Sequence, residues 1–140
     1  MSRKYLFVGN SVGIIRVFDI QNQTEKRCLV DNFIRLRVHS IFATDDGRYC
    51  VTGHNTGTII LWNLKTYCVA YQMNNLHSEK TTVVSAEIYF NDKNRINFVS
   101  SDQSGKVRKT EVKWVKKDKN QNIFVNRVND EADDGKIYSH

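Results

Sequence analysis

Short apolar runs with a period of two recur along the chain, separated by polar turns. Three stretches share one pattern and align without gaps: LFVGNSVGIIRVFDI (6–20), CVTGHNTGTIILWNL (50–64) and FVSSDQSGKVRKTEV (98–112). In each, a short strand ends at Gly9, Gly53 or Ser101, and Gly13, Gly57 or Gly105 follows four residues later. That spacing predicts a tight hairpin with glycine where φ turns positive. In the returning strand, period two places Ile15 and Val17, Ile59 and Leu61, Val107 and Lys109 on one face, and Phe18, Trp62 and Thr110 on the other. Two short strands cannot stand alone. The flanks supply more: 38–43 and 84–90 read as strands before the second and third copies, with turns at Asp45-Asp46-Gly47 and around 91–94. After each copy, 27–30, 68–73 and 123–128 suit an outer edge strand, so the unit is four antiparallel strands.

Successive hairpin glycines are 44 and then 48 residues apart, near the ~40 to 45 residue period of a propeller blade. With these residues the chain resembles a WD40 repeat protein, most closely in VTGHNTGTIILWNL, where Gly53, Gly57, Ile59, Leu61, Trp62 and Asn63-Leu64 match the family's second and third strands. The resemblance implies an all-β fold: about three four-stranded antiparallel blades of an incomplete propeller over residues 1–128 (blades near 5–30, 38–73 and 84–128), the first without its inner strand, then an acidic flexible tail, 129–140. In it Gly9, Gly13, Phe18, Gly53, Gly57, Trp62 and Gly105 are the structural repeat positions. The family's blades carry an aspartate just before the hairpin glycine and a histidine ahead of the first strand, joined to a serine or threonine and a tryptophan in a buried polar set. Here Val12, Thr56 and Ser104 precede the glycines and only Trp62 is tryptophan, so the set is expected to be largely missing, with His77 a candidate for the histidine of the third blade. Three blades leave two sheet faces bare, and the expectation is a segment of a larger ring, completed by a longer chain or another copy, that aggregates or stays partly molten when alone.

Composition adds limits. The 140 residues are 40% hydrophobic and 26% charged, ordinary for a chain that folds in water. Proline is absent, where average usage would give about seven, which fits a chain of paired strands. No apolar run approaches the ~18 residues of a membrane span, and the start MSRKYLFVGN has no secretory h-region, so the reading is cytoplasmic. Cys28, Cys50 and Cys68 form no metal-ligand spacing, and no catalytic, cofactor or metal site is expected. Asp45-Asp46 reads as a turn, and His39 and His54 as single exposed or half-buried histidines without a nucleophile partner. The glycine-rich hairpins join strand to strand and lack the helix N-terminus that a phosphate loop needs.

The net charge of +6 concentrates in KVRKTEVKWVKKDK (106–119), where period two puts Lys109, Glu111, Lys113 and Lys117 on one face. A solvated edge explains this run. The sharper reading is a surface for an acidic partner or acidic lipid headgroups; nucleic-acid binding would want interleaved aromatic platforms, which Trp114 alone does not supply.

A narrower resemblance follows from the order of blades: VGNSVGIIRVFDIQN, a return through CLVDNF, the tryptophan blade, the histidine segment NLHSEKTTVVSAEIYFND, and SSDQSGKVRKTEV. It is similar to the amino-terminal propellers of the eighth vacuolar-protein-sorting subunits, part of the endosomal tether CORVET. That implies a non-catalytic interaction scaffold in vesicle tethering and endosome-to-vacuole transport, with a Rab GTPase and other tether subunits as partners, no small-molecule substrate, and membrane association through those partners. The alternatives are a generic WD40 adaptor, such as a ubiquitin-ligase substrate receptor or a ciliary scaffold, and a basic RNA- or lipid-binding propeller.

Overall fold

The computed structural model describes residues 5–30, 35–74, 76–118 and 121–129, with side chains followed as far as Lys113. Most of the acidic tail (130–140) and the side chains of Trp114 and Lys117 lie outside the described residues. What is described holds eleven strands: β1 Tyr5–Gly9, β2 Ile15–Asp19, β3 Thr24–Leu29, β4 Val38–Ala43, β5 Tyr49–His54, β6 Ile59–Asn63, β7 Cys68–Met73, β8 Val83–Asn91, β9 Arg95–Asp102, β10 Val107–Asp118 and β11 Gln121–Asn129. They form three antiparallel sheets in sequence order, β1-β2-β3, β4-β5-β6-β7 and β8-β9-β10-β11. Among the described residues the only helical piece is a 3-10 turn, Asn55–Gly57.

The three copies found in the sequence share one register. Leu6 pairs with Phe18, Cys50 with Trp62, and Phe98 with Thr110; Gly9 pairs with Ile15, Gly53 with Ile59, and Ser101 with Val107. The hairpin glycines Gly13, Gly57 and Gly105 have φ of 87°, 69° and 89°. A one-residue slip would turn every apolar side chain to the wrong face, so this shared register fixes which face each sheet offers its neighbour.

Each sheet has a backward face, toward the sheet before it, and a forward face, toward the sheet after it. The forward face of the first sheet (Tyr5, Phe7, Ile15, Val17, Leu29) packs on the backward face of the second (Ile41, Cys50, Ile60, Trp62, Val69). The forward face of the second (Val51, Ile59, Leu61, Met73) packs on the backward face of the third (Ala86, Ile88, Ile96, Phe98, Val112). This explains a sequence contrast. In β6 the run Ile59–Trp62 is apolar at every position because both faces are covered, and all four residues are 0% exposed. In β2 only alternate residues are buried, because one face alone has a neighbour. The guanidinium of Arg27 also stacks 5.0 Å from the Tyr67 ring, joining β3 to the turn just before β7.

The polar set expected to be missing is present, which corrects the reading from the sequence. In the second sheet, Trp62 Nε1 donates to Thr52 Oγ1 (3.0 Å), which lies 2.7 Å from His54 Nε2, and His54 Nδ1 is 3.1 Å from the Leu36 carbonyl. In the third, His77 Nδ1 is 2.7 Å from Asp102 Oδ2 and His77 Nε2 is 2.8 Å from Ser100 Oγ. The acid sits three residues before Gly105, not next to it. His54 is 0% exposed, so it is neither half-buried nor solvated.

Candidate functional site

Two kinds of feature deserve chemical scrutiny: buried histidine sets and sheet faces with no neighbour. The acceptors settle the histidine tautomers. A carbonyl or a carboxylate can only accept, so Nδ1–H donates in both rings. Burial holds both imidazoles below their usual pKa, outweighing the Leu36 and Arg37 carbonyls at His54 and the Asp102 hydrogen bond and charge at His77. Both rings are therefore neutral at pH 7, and Nε2 accepts from the hydroxyl of Thr52 or Ser100. The relay runs Trp62 to Thr52 to His54 to Leu36 in one sheet, and Ser100 to His77 to Asp102 in the other.

Ser100, His77 and Asp102 are the residue types of a hydrolase triad at hydrogen-bond distances. Their exposure decides against that use. Ser100 is 1% exposed, His77 3% and Asp102 4%, so no carbonyl substrate reaches Ser100 Oγ. The set instead shapes the third sheet. Asp102 Oδ1 accepts from Ser104 N, Ser104 Oγ and Lys106 N (2.9, 2.6 and 3.2 Å), capping the hairpin with the same carboxylate that holds His77. Asn10, at the same repeat position, caps the first hairpin through Val12 N and Ile14 N (2.9 and 3.0 Å).

Where the second sheet has Trp62, the third has Thr110. Its hydroxyl is buried and has no hydrogen-bond partner among the described residues. Thr110→Val keeps the shape and removes an unsatisfied polar group, so we expect a gain of about 1–2 kcal/mol, read as a higher urea midpoint with an unchanged slope.

The two outer faces differ in character. The backward face of the first sheet carries Leu6 (52% exposed) and Val8 (44%) beside Phe18, with Arg16 stacked on Phe18 at 5.4 Å and ion-paired to Glu25 at 2.5 Å. The equivalent face is buried in both other sheets. The forward face of the third sheet is polar where the others are apolar. Lys109 stands in the place of Val17 and Leu61, and Asn97 in that of Tyr5 and Tyr49.

Of the basic stripe, Lys109 is exposed and Lys113 half-buried on that forward face. Between them Glu111 is ion-paired with Arg95 (3.6 Å) and Lys113 (3.7 Å), so the middle of the stripe is neutralised. Asp46 caps its turn through Thr44 Oγ1 and Arg48 N (2.6 and 3.0 Å), and its other oxygen accepts from Asn91 of the third sheet (2.7 Å). Among the described residues no group of three or more His, Cys, Asp or Glu is placed to hold a metal, and no helix is long and apolar enough to cross a membrane. A cleft of about 310 Å³ lies between the first two sheets, lined by Gly9, Val38, His39, Ser40 and Ile41.

The family model described as the Vps8 beta-propeller matches residues 1–129. No curated protein matches the chain. Among solved structures, the beta-propeller domain of Cps50 (Swd1) from Myceliophteria thermophila superposes with a TM-score of 0.64 at 17% identity, over 89% of this chain and 35% of that one. At that identity the likeness carries the fold alone, and this chain spans about a third of that propeller chain.

Proposed function

Because the chain belongs to the Vps8 beta-propeller family, we propose that it serves as a non-catalytic interaction module of an endosomal tether, acting in vesicle tethering and endosome-to-vacuole transport. The observation that carries this reading is the family match over residues 1–129. Propellers of this kind act as protein-interaction scaffolds: stacked sheets give a stiff body, and function lies in the loops and faces it presents. The burial of Ser100, His77 and Asp102 is consistent with a body that holds partners and turns over no substrate. The partners in this reading are a Rab GTPase and other tether subunits. Residence on endosomal or vacuolar membranes comes through them. The stripe of Lys109, Lys113 and Lys117 is the candidate contact for an acidic partner patch.

Affinity capture of the tagged full chain from its own cells tests this. Recovery of a Rab GTPase with vacuolar-sorting subunits is the expected result. Recovery of cullin-type ligase components in their place would overturn it in favour of a generic adaptor. A triple charge reversal, Lys109→Glu, Lys113→Glu and Lys117→Glu, should lower recovery at least about threefold, since surface charge pairs contribute about 0.2–1 kcal/mol each, and should flatten its dependence on salt.

A further inference from the structure

The third sheet departs from the other two at one corner. In the first two sheets, β2 and β6 stop level with the starts of β1 and β5: Asp19 lies opposite Tyr5, and Asn63 opposite Tyr49. The chain turns back at once, pairing Asp19 with Thr24 and Asn63 with Cys68. A short polar side chain holds each turn, Asp19 Oδ1 accepting from Asn22 N (3.1 Å) and Asn63 Oδ1 from Lys65 N and Thr66 N (2.8 and 3.3 Å). Glu111 stands at the aligned position of the third copy, opposite Asn97. Its carboxylate is drawn instead to Arg95 and Lys113. With no cap to turn the chain, the strand-favouring residues Val112, Trp114 and Val115 carry β10 onward.

β10 leaves β9 at the pair of Lys113 with Arg95 and continues to Asp118 alongside β11. There Trp114 lies opposite Phe124, Val115 opposite Ile123, Lys116 opposite Asn122 and Asp118 opposite Gln121, with a bulge at Lys117. At about 3.3 Å per residue, this two-stranded ribbon reaches about 15 Å past the sheet. Such a ribbon is marginal in water without a surface to lie against.

We propose that the ribbon, which sets Trp114 against Phe124 among Lys113, Lys116 and Lys117, is a contact for an acidic lipid surface. Composition selects this occupant. The stretch KWVKKDK (113–119) holds four lysines against one aspartate, and the pairs beside them are aromatic and aliphatic. Protein interfaces favour arginine and are depleted in lysine. Clustered lysines attract anionic headgroups, and tryptophan and phenylalanine suit the layer between headgroups and acyl chains. The proposal stands on the ribbon and does not depend on the tether reading; any hold that partner proteins supply adds to it.

The test uses the full 140-residue chain and co-sedimentation with vesicles of phosphatidylcholine, with or without phosphatidylserine. Binding to the acidic vesicles should exceed binding to the neutral ones at least about tenfold and fall with added salt. Lys116→Glu with Lys117→Glu should weaken it at least about tenfold. Lys80→Glu with Lys106→Glu makes the same charge change at the opposite, hairpin end of the third sheet, where both lysines are exposed, and should leave binding within about twofold. Trp114→Ala should weaken binding about threefold or more at unchanged net charge, which diffuse attraction of a basic chain would not do. Amide exchange of the unaltered chain should slow across 113–124 on acidic vesicles, a readout that no folding defect can imitate. Equal binding to both kinds of vesicle, equal losses from the two charge-reversed pairs, or protection confined to other strands would overturn the proposal. Absence of vesicle binding alongside recovery of tether subunits from cells would overturn it in favour of a protein occupant and leave the tether reading standing.

Discussion

Gly57→Val should lower the stability of the fold by about 2–5 kcal/mol, read as a large drop in its urea midpoint. Gly57 has a φ of +69°, where a β-branched residue is strained by about 1–2 kcal/mol, and the added Cβ would strike backbone atoms: the Ser78 carbonyl oxygen and the His77 carbonyl oxygen at 2.5 Å. Backbone cannot rotate aside as a side chain can, so the segment entering the third sheet would have to move, at a further cost of about 1–3 kcal/mol. The same movement would drag His77 away from Asp102 and Ser100. Against a total stability of about 5–15 kcal/mol for a typical domain, the combined loss of about 2–5 kcal/mol is a large fraction. Gly47→Ala separates the two contributions. Gly47 has a φ of +73° but nothing within 4 Å of its built Cβ, so it should lose only about 1–2 kcal/mol. Equal midpoints for the two variants would show that the contact between Gly57 and the crossing segment is not tight.

The contrast between these two glycines marks how far the sequence could be read. Alternation and the repeated hairpin glycine located the paired strands, because strand periodicity and turn conformation are local properties. The apolar run of β6 was visible too, although only the structure shows that it is continuous because the second sheet is covered on both sides. The contact of Gly57 with His77 and Ser78 was not legible, since it depends on the path taken between β7 and β8.

The buried polar sets were misread for a related reason. No acid stands next to the hairpin glycine, because Val12, Thr56 and Ser104 occupy that place. Asp102 does the work from three residues earlier, reaching forward to the turn amides and across to His77 with its two oxygens. His54 serves its set from the end of β5, paired within the same hairpin as Thr52 and Trp62. One signal was available: Asn10, His54 and Asp102 occupy the same place in the three aligned copies, each a polar residue at or just past the end of the first strand of its hairpin. The hairpin of the first sheet follows from the repeat in the sequence, but the cleft beside Gly9 required the approach of Val38 to it.

Asp102→Ala should lower stability by about 2–5 kcal/mol, because it removes a buried charged acceptor and each donor left unpaired costs about 1–3 kcal/mol. It leaves the His77 N–H and the amides of Ser104 and Lys106 without their acceptor. Burial alone would raise the Asp102 carboxyl pKa, but hydrogen bonds from Ser104, His77 and Lys106 outweigh it and hold the group below the usual carboxylate range. Its contribution is therefore present above the unfolded carboxylate pKa near 4 and is lost as pH falls through the folded value. The histidines act in a higher window. His54 and His77 are both held below 6.5 in the folded chain, so the unfolded chain takes up protons first. Stability should be steady above the unfolded histidine pKa and fall as pH drops below about 6.5, with a limiting slope of about 1.4 kcal/mol per pH unit for each ring. Since the Asp102 carboxylate raises the His77 pKa against the effect of burial, its removal should carry the decline to lower pH as well as lower the plateau. Denaturation midpoints of both proteins between pH 5 and 8 measure this; a wild-type profile that rises toward pH 5 would mean that the two rings are charged in the fold and that the neutral relays assigned to them are wrong.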